Sequence, residues 1–91
     1  MSLTQIEDRL FKILEHFKKS MGDEGYQEIR NMLGACEPGI ALELLCHGLL
    51  SDHTAIAEEI HTELTRLGNE MGMEEDCWTM LKPQVKVSND I

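Results

Sequence analysis

Between Glu37 and Leu50 the chain runs through its longest apolar stretch, charged only at Glu37 and Glu43. Pro38 suits the first turn of a helix, where its missing N–H costs nothing and its fixed φ is already helical. Ala41, Leu42, Leu45 and Leu49 recur at three- and four-residue steps. Leu44 and Leu50 widen that stripe beyond half the circumference, and a helix apolar over so wide an arc is normally wrapped by its neighbours. Residues 38–50 therefore read as a central helix with the other segments packed around it.

Those segments also carry helical periods. Thr4-Gln5-Ile6-Glu7 fits a capping box, and Ile6, Leu10, Ile13, Leu14, Phe17 and Met21 follow at helical spacing, predicting a first amphipathic helix over residues 5–20 that Gly22 ends. Lys18 and Lys19 match the negative end of its dipole. Asp23 can cap a second helix whose apolar side is Tyr26, Ile29, Met32 and Leu33, with Gly34 in the left-handed position that closes it. After the polar break at residues 51–54, Asp52 or Thr54 can cap a fourth helix from Ala55 to Met71. Its apolar face is Ile56, Ile60, Leu64, Leu67 and Met71, and its outward face holds Glu58, Glu59, His61, Thr62, Glu63 and Arg66. Residues 73–81 predict a last short helix that lays Trp78 and Leu81 against the bundle before Pro83 stops it. Val85 and Val87 alternate with Lys86, a segment that reads as a frayed end or as an edge strand added to a partner's sheet. The expected fold is all-α, a small single-domain bundle of four to five helices around the apolar one.

A chain of 91 residues is near the size where one core suffices without metals or disulfides. Three cysteines, an odd number without a CxxC pair, argue against a disulfide framework and for a reducing compartment. There is no basic n-region followed by an apolar core, and no apolar run approaches ~20 residues. These features lead us to expect a cytoplasmic protein. Net charge is −9, and residues 51–77 hold eight acids against Arg66 alone. Such a field repels nucleic acid and anionic membrane and steers basic partners, unless it serves only solubility.

The residues that carry chemistry do not assemble into a catalytic pattern. Cys46 and His47 are adjacent and point about 100° apart on a helix, so they cannot easily share a metal. Glu58-x-x-His61 has the one-turn spacing of carboxylate di-iron bundles but occurs once. Cys36 lacks a neighbouring base, Cys46 reads as a small core residue, and the three acids before Cys77 are expected to raise its thiol pKa. No phosphate-cradling loop or nucleophile elbow is present. The expectation is a non-enzyme without cofactor or metal that works by binding another protein.

The run Glu37-Pro38-Gly39-Ile40-Ala41-Leu42-Glu43-Leu44-Leu45-Cys46 resembles the E-x-G-x-A-L-E-L-L-C signature of MafI-type immunity proteins. These are similar in size and logic to the immunity proteins of bacterial contact-dependent growth inhibition systems. The pattern Ile60, Leu64, Leu67-Gly68, Met71-Gly72-Met73, Trp78 and Leu81 resembles that family's ending, a helix that reaches an M-G-L-like break before a short segment with an aromatic residue. The likeness covers roughly residues 5–82, and His47 stands where the family carries an acid. The colicin nuclease immunity proteins, with paired tyrosines on a short helix, are not similar, because Tyr26 is the only tyrosine.

The resemblance implies an immunity-like helical domain over residues 1–82 with a tail over 83–91. It also implies a cognate partner, the toxic C-terminal domain of a polymorphic toxin, commonly a nuclease, neutralised at or beside its active site. Asp52, Glu58, Glu59 and Glu63 are the expected acidic contacts, with Glu43 and His53 next. Two other readings stand beside this one. A non-enzymatic adaptor would centre its interface on exposed apolar residues and bind independently of salt. A DNA mimic would need carboxylates spaced like phosphates, which residues 58–76 supply in part.

Overall fold

The apolar run folds as helix α3 (Pro38–Ser51), with Pro38 in its first turn. It packs against all four other helices: α1 (Leu3–His16), α2 (Lys18–Gly34), α4 (Glu58–Glu70) and α5 (Asp76–Thr79). The computed structural model describes residues 3–86, and over these the domain is all-α, five helices with α3 at the centre. Ala41, Leu42, Leu45, Cys46 and Leu49 are buried along one side of that helix. Leu10 and Leu14 of α1, Tyr26 and Ile29 of α2, Leu64 and Leu67 of α4, and Trp78 and Leu81 meet them in one core. Each fully buried leucine contributes roughly 2 kcal/mol of transfer free energy, so the spacing of these residues accounts for the architecture.

The neighbours do not wrap α3 completely. Ile40 and Leu50 are 44% and 38% exposed, and Glu43 and His47 are exposed between them. An apolar arc wider than the available neighbours leaves its margin in water.

Helix boundaries depart from expectation in instructive ways. α1 begins at Leu3, ahead of the predicted Thr4 cap, whose side chain lies outside the described ones. It stops at His16, not near residue 20, because Phe17 leaves helical geometry (φ −101°, ψ 10°) and its ring is buried. Residues 18–21 form one further turn, and Gly22, at φ +78°, makes the break that the sequence marked. Lys18, expected to match the dipole, lies over the Tyr26 ring at 4.9 Å from its centroid, a cation–π contact.

Gly34 is not the left-handed residue that ends α2. That conformation falls to Cys36, at φ +60°. The N–H of Glu37 bonds the Met32 carbonyl at 2.9 Å and that of Cys36 bonds Leu33 at 3.1 Å, the paired pattern of a Schellman close. The same pattern ends α3 with His53 at φ +54° and ends α4 with Gly72 at φ +69°. Only the third has the glycine such a position favours.

α4 starts at Glu58, three residues later than predicted, because Ile56–Ala57 is extended and pairs in parallel with Val85–Lys86. Asp52 and Thr54 therefore do not cap it; Asp52 is the C-cap of α3. Glu58 and Glu59 occupy the first turn of α4, where a helix dipole favours acids. The end of the chain through Lys86 is tied down within the molecule. The Gln84 amide donates to the carbonyls of Leu49 and Thr54, both at 2.9 Å, and Ile56 beneath the pair is fully buried. The strand character expected at Val87 lies outside the described residues. The last helix is shorter than the predicted 73–81, but Trp78 and Leu81 lie against the bundle as expected. No described helix is long and apolar enough to cross a membrane.

Candidate partner-binding surface

With 3.6 residues per turn, Ile40, Glu43, His47 and Leu50 fall within an arc of about 80° on α3, opposite the buried leucines. His47 lies where two depressions meet. One, of about 330 Å³, opens between α2 and α3 and carries Glu28 and Asp52. The other, of about 200 Å³, opens between α3 and α5 and carries Glu43, Glu74 and Asp76. Among the described residues five carboxylates thus flank one exposed stripe, and no Lys or Arg lines either depression. Two apolar side chains at 40 and 50 bracket the charged middle. Such a surface is suited to a cationic partner that also offers apolar contacts.

The acids of α4 have a different setting. Glu59 and Glu63 line a groove of about 370 Å³ against Arg9, Lys12 and His16 of α1, floored by Ile13 and Ile60. Arg9 grips Glu63 with both ends of its guanidinium, Nε to Oε2 at 2.6 Å and Nη2 to Oε1 at 3.2 Å. Its Nη1 reaches Glu70 at 2.9 Å. Hydrogen bonding from Arg9 holds the Glu63 carboxyl below its ordinary range against the opposing pull of burial, and the same bonds hold the Arg9 proton more tightly. The planar fork meeting a carboxylate bidentately is the strongest form of this pair.

The six residues singled out from the sequence are therefore divided. Glu43 and Asp52 come together on the two sides of His47. Glu59 and Glu63 face α1 across a groove whose charges balance, and Glu58 is exposed at the start of α4. His53 is exposed in the left-handed turn that closes α3. Sequence reasoning missed Ile40, His47 and Leu50 as surface, although a helical wheel of residues 38–51 would have found them. Glu28 could not have been found that way, because only the packing of α2 on α3 brings it beside Asp52.

His61, placed on the outward face by its spacing, is half-buried, and its Nε2 lies 2.8 Å from the Trp78 carbonyl. Side-chain hydrogen bonding with Cys77 and burial push the Cys46 thiol up, while the same interaction pushes Cys77 down against burial and the charge of Glu43. This reverses the expectation from Glu74, Glu75 and Asp76. Among the described residues no group of three or more His, Cys, Asp or Glu is placed to hold a metal ion. No family model, curated protein or solved structure matches the chain.

Proposed function

We propose that this chain is an immunity-type inhibitor that binds a cognate bacterial toxin domain, with a basic nuclease as the class that fits best. It would cover the toxin's cationic surface with the outward side of α3. The observation that carries the reading is the set of carboxylates around His47 with no Lys or Arg among them. Carboxylates can take the positions that substrate phosphates would occupy, and a one-signed field accelerates encounter. Ile40 and Leu50 supply desolvated anchors of the kind that set residence time. An interface of about 800 Å² on this partner would take about one-seventh of its 5601 Å² of accessible surface. The exposure of Ile40 and Leu50 also favours a second reading, an adaptor whose interface is centred on those two residues.

Co-expression with a candidate toxin domain tests the first reading, with growth rescue as the readout. Purified proteins then give association rates for Glu43→Lys/Asp52→Lys and for Glu58→Lys/Glu59→Lys. The α3 pair should lower the low-salt association rate about 10- to 100-fold, more than the α4 pair does. Rates that neither pair changes, with no salt dependence, would overturn the acidic-face reading. If Ile40→Ala/Leu50→Ala alone abolishes binding, the adaptor reading stands in its place.

A further inference from the structure

The depression between α2 and α3 combines an apolar floor with an acidic rim. Ile29 at its base is buried, and Met21 and Leu44 beside it are half-buried. Glu28 of α2 and Asp52, the C-cap of α3, are exposed above them. Among the described residues neither of these carboxylates has an ion-pair or hydrogen-bond partner. Two glycines also line the space, Gly25 in α2 and Gly48 in α3. Glycine inside a helix weakens it relative to alanine, so two of them on one cavity call for an explanation. Close approach of a neighbour is not that explanation: an added Cβ would meet only a Met21 atom, at 3.8 Å from Gly25 and 3.9 Å from Gly48, which is ordinary contact. What the missing side chains leave is room, about 330 Å³ of it. We infer that this cavity is a binding site for an arginine side chain presented by a partner protein.

The lining selects that occupant. The volume lies at the low end of the range for small-ligand pockets, roughly 300–1,000 Å³, so it suits one extended side chain better than a ringed cofactor. Long cationic side chains lay their methylenes on apolar surface and keep only the charged head in polar surroundings. Met21, Ile29 and Leu44 cover the stem, and the head meets Glu28 and Asp52. A guanidinium carries several N–H donors in a planar fork and can serve two carboxylates at once, whereas an ammonium is a compact, strongly hydrated charge. Arg9 behaves this way within the chain, where it spans Glu63 and Glu70. An anionic occupant is repelled by the rim, and a wholly apolar one would desolvate two carboxylates without compensation. The site rests on the partner reading above for the source of its arginine, and an arginine seated in a pocket is a common centre of binding energy at an interface.

The test titrates the isotopically labelled full chain with N-acetyl-L-arginine amide and with its neutral isostere, N-acetyl-L-citrulline amide, and follows the backbone amides by NMR. The arginine probe should shift the Gly25 and Gly48 signals with millimolar affinity. The citrulline probe should bind at least about 10-fold more weakly, having lost the charge-assisted hydrogen bonds. Glu28→Gln/Asp52→Asn should bring the arginine probe down to the citrulline level. Glu37→Gln, at the opposite end of α3, should leave its affinity unchanged. Gly25→Leu and Gly48→Leu fill the cavity from different helices, and each should abolish probe binding with the amide spectrum still dispersed. If either leucine unfolds the chain, the rim variant, which removes no packing, decides the matter. The inference is overturned if the two probes bind alike, if Glu37→Gln weakens the arginine probe as much as the rim variant does, or if a folded leucine variant still binds it. Growth rescue by a chain whose cavity ignores arginine would refute the site alone, and arginine binding without rescue would refute the inhibitor reading alone.

Discussion

Replacing Gly68 by alanine should destabilise the protein, although helix propensity alone predicts the opposite. Gly68 is buried within α4, and a Cβ placed there would fall 1.9 Å from Trp78 Cζ3, 2.4 Å from Cη2 and 2.5 Å from Cε3. Ordinary contact begins near 3.4 Å, so the indole must retreat by about 1.5 Å or the helix must shift. The ring is 2% exposed, and the carbonyl of the same residue is held by His61, so little slack is available. Overpacking of this kind costs ~1–3 kcal/mol, and complete loss of a tryptophan's packing costs ~3–5. Against that, alanine in a helix interior gains about 1 kcal/mol over glycine. The net expectation is a loss of about 2 kcal/mol, or about 10 °C in Tm for a domain of this size. Trp78 is the only tryptophan, so its fluorescence during urea denaturation reports both the midpoint and the burial of the displaced ring. In a Trp78→Ala background the sign should reverse, with Gly68→Ala neutral or stabilising by up to about 1 kcal/mol. If Gly68→Ala raises the midpoint of the parent protein, the close approach is wrong.

Cys36→Gly should stabilise by about 1 kcal/mol, because it relieves a left-handed φ at an L residue without losing the turn's hydrogen bonds; a lower denaturation midpoint would contradict this. Leu45→Ala should cost ~2–5 kcal/mol as a truncation in the fully buried face of α3, and a loss below about 1 would remove Leu45 from the core. Because Arg9 depresses the Glu63 pKa, the stabilisation from their pair is present above the unfolded carboxyl value and is lost as pH falls through the lower folded value. Glu63→Gln should remove about 1 kcal/mol at neutral pH and flatten the acid side of the stability curve below about pH 4.5; a curve parallel to that of the parent protein would show that the pair contributes nothing.

The helices were legible because their apolar residues repeat at the period of the structure they form. Leu10 and Leu14, Leu42, Leu45 and Leu49, and Leu64 and Leu67 declare their faces without help from tertiary context. The ends were less legible, since each depends on a choice that the local sequence leaves open. Gly34 and Cys36 both lie near the close of α2, and the glycine is the better left-handed residue. The bond from Glu37 to Met32 nevertheless falls where Cys36 must take that conformation. Ile56 has the spacing of an α4 residue, yet it is extended because Val85, 29 residues later, supplies a strand partner. Gly68 offered a signal that went unread. A glycine on the apolar side of a helix costs stability unless something packs against it, and the chain's single tryptophan lies ten residues on.

Charge was the hardest property to place, because a sum over a segment says nothing about direction. Residues 51–77 are the most acidic part of the chain, yet two of their acids face Arg9, which lies 54 and 61 positions away in sequence. A cation from α1 thus pairs with two of the eight acids that composition singles out. Around His47, Glu28 comes from α2, Glu43 from the middle of the central helix, Asp52 from its C-cap, Glu74 from the link after α4 and Asp76 from the start of α5. Three of the five belong to residues 51–77, and Glu28 and Glu43 join them from α2 and α3. Folding brings them around His47 with no Lys or Arg lining either depression. A basic partner of the kind proposed would meet on this side of α3 five carboxylates bracketed by Ile40 and Leu50.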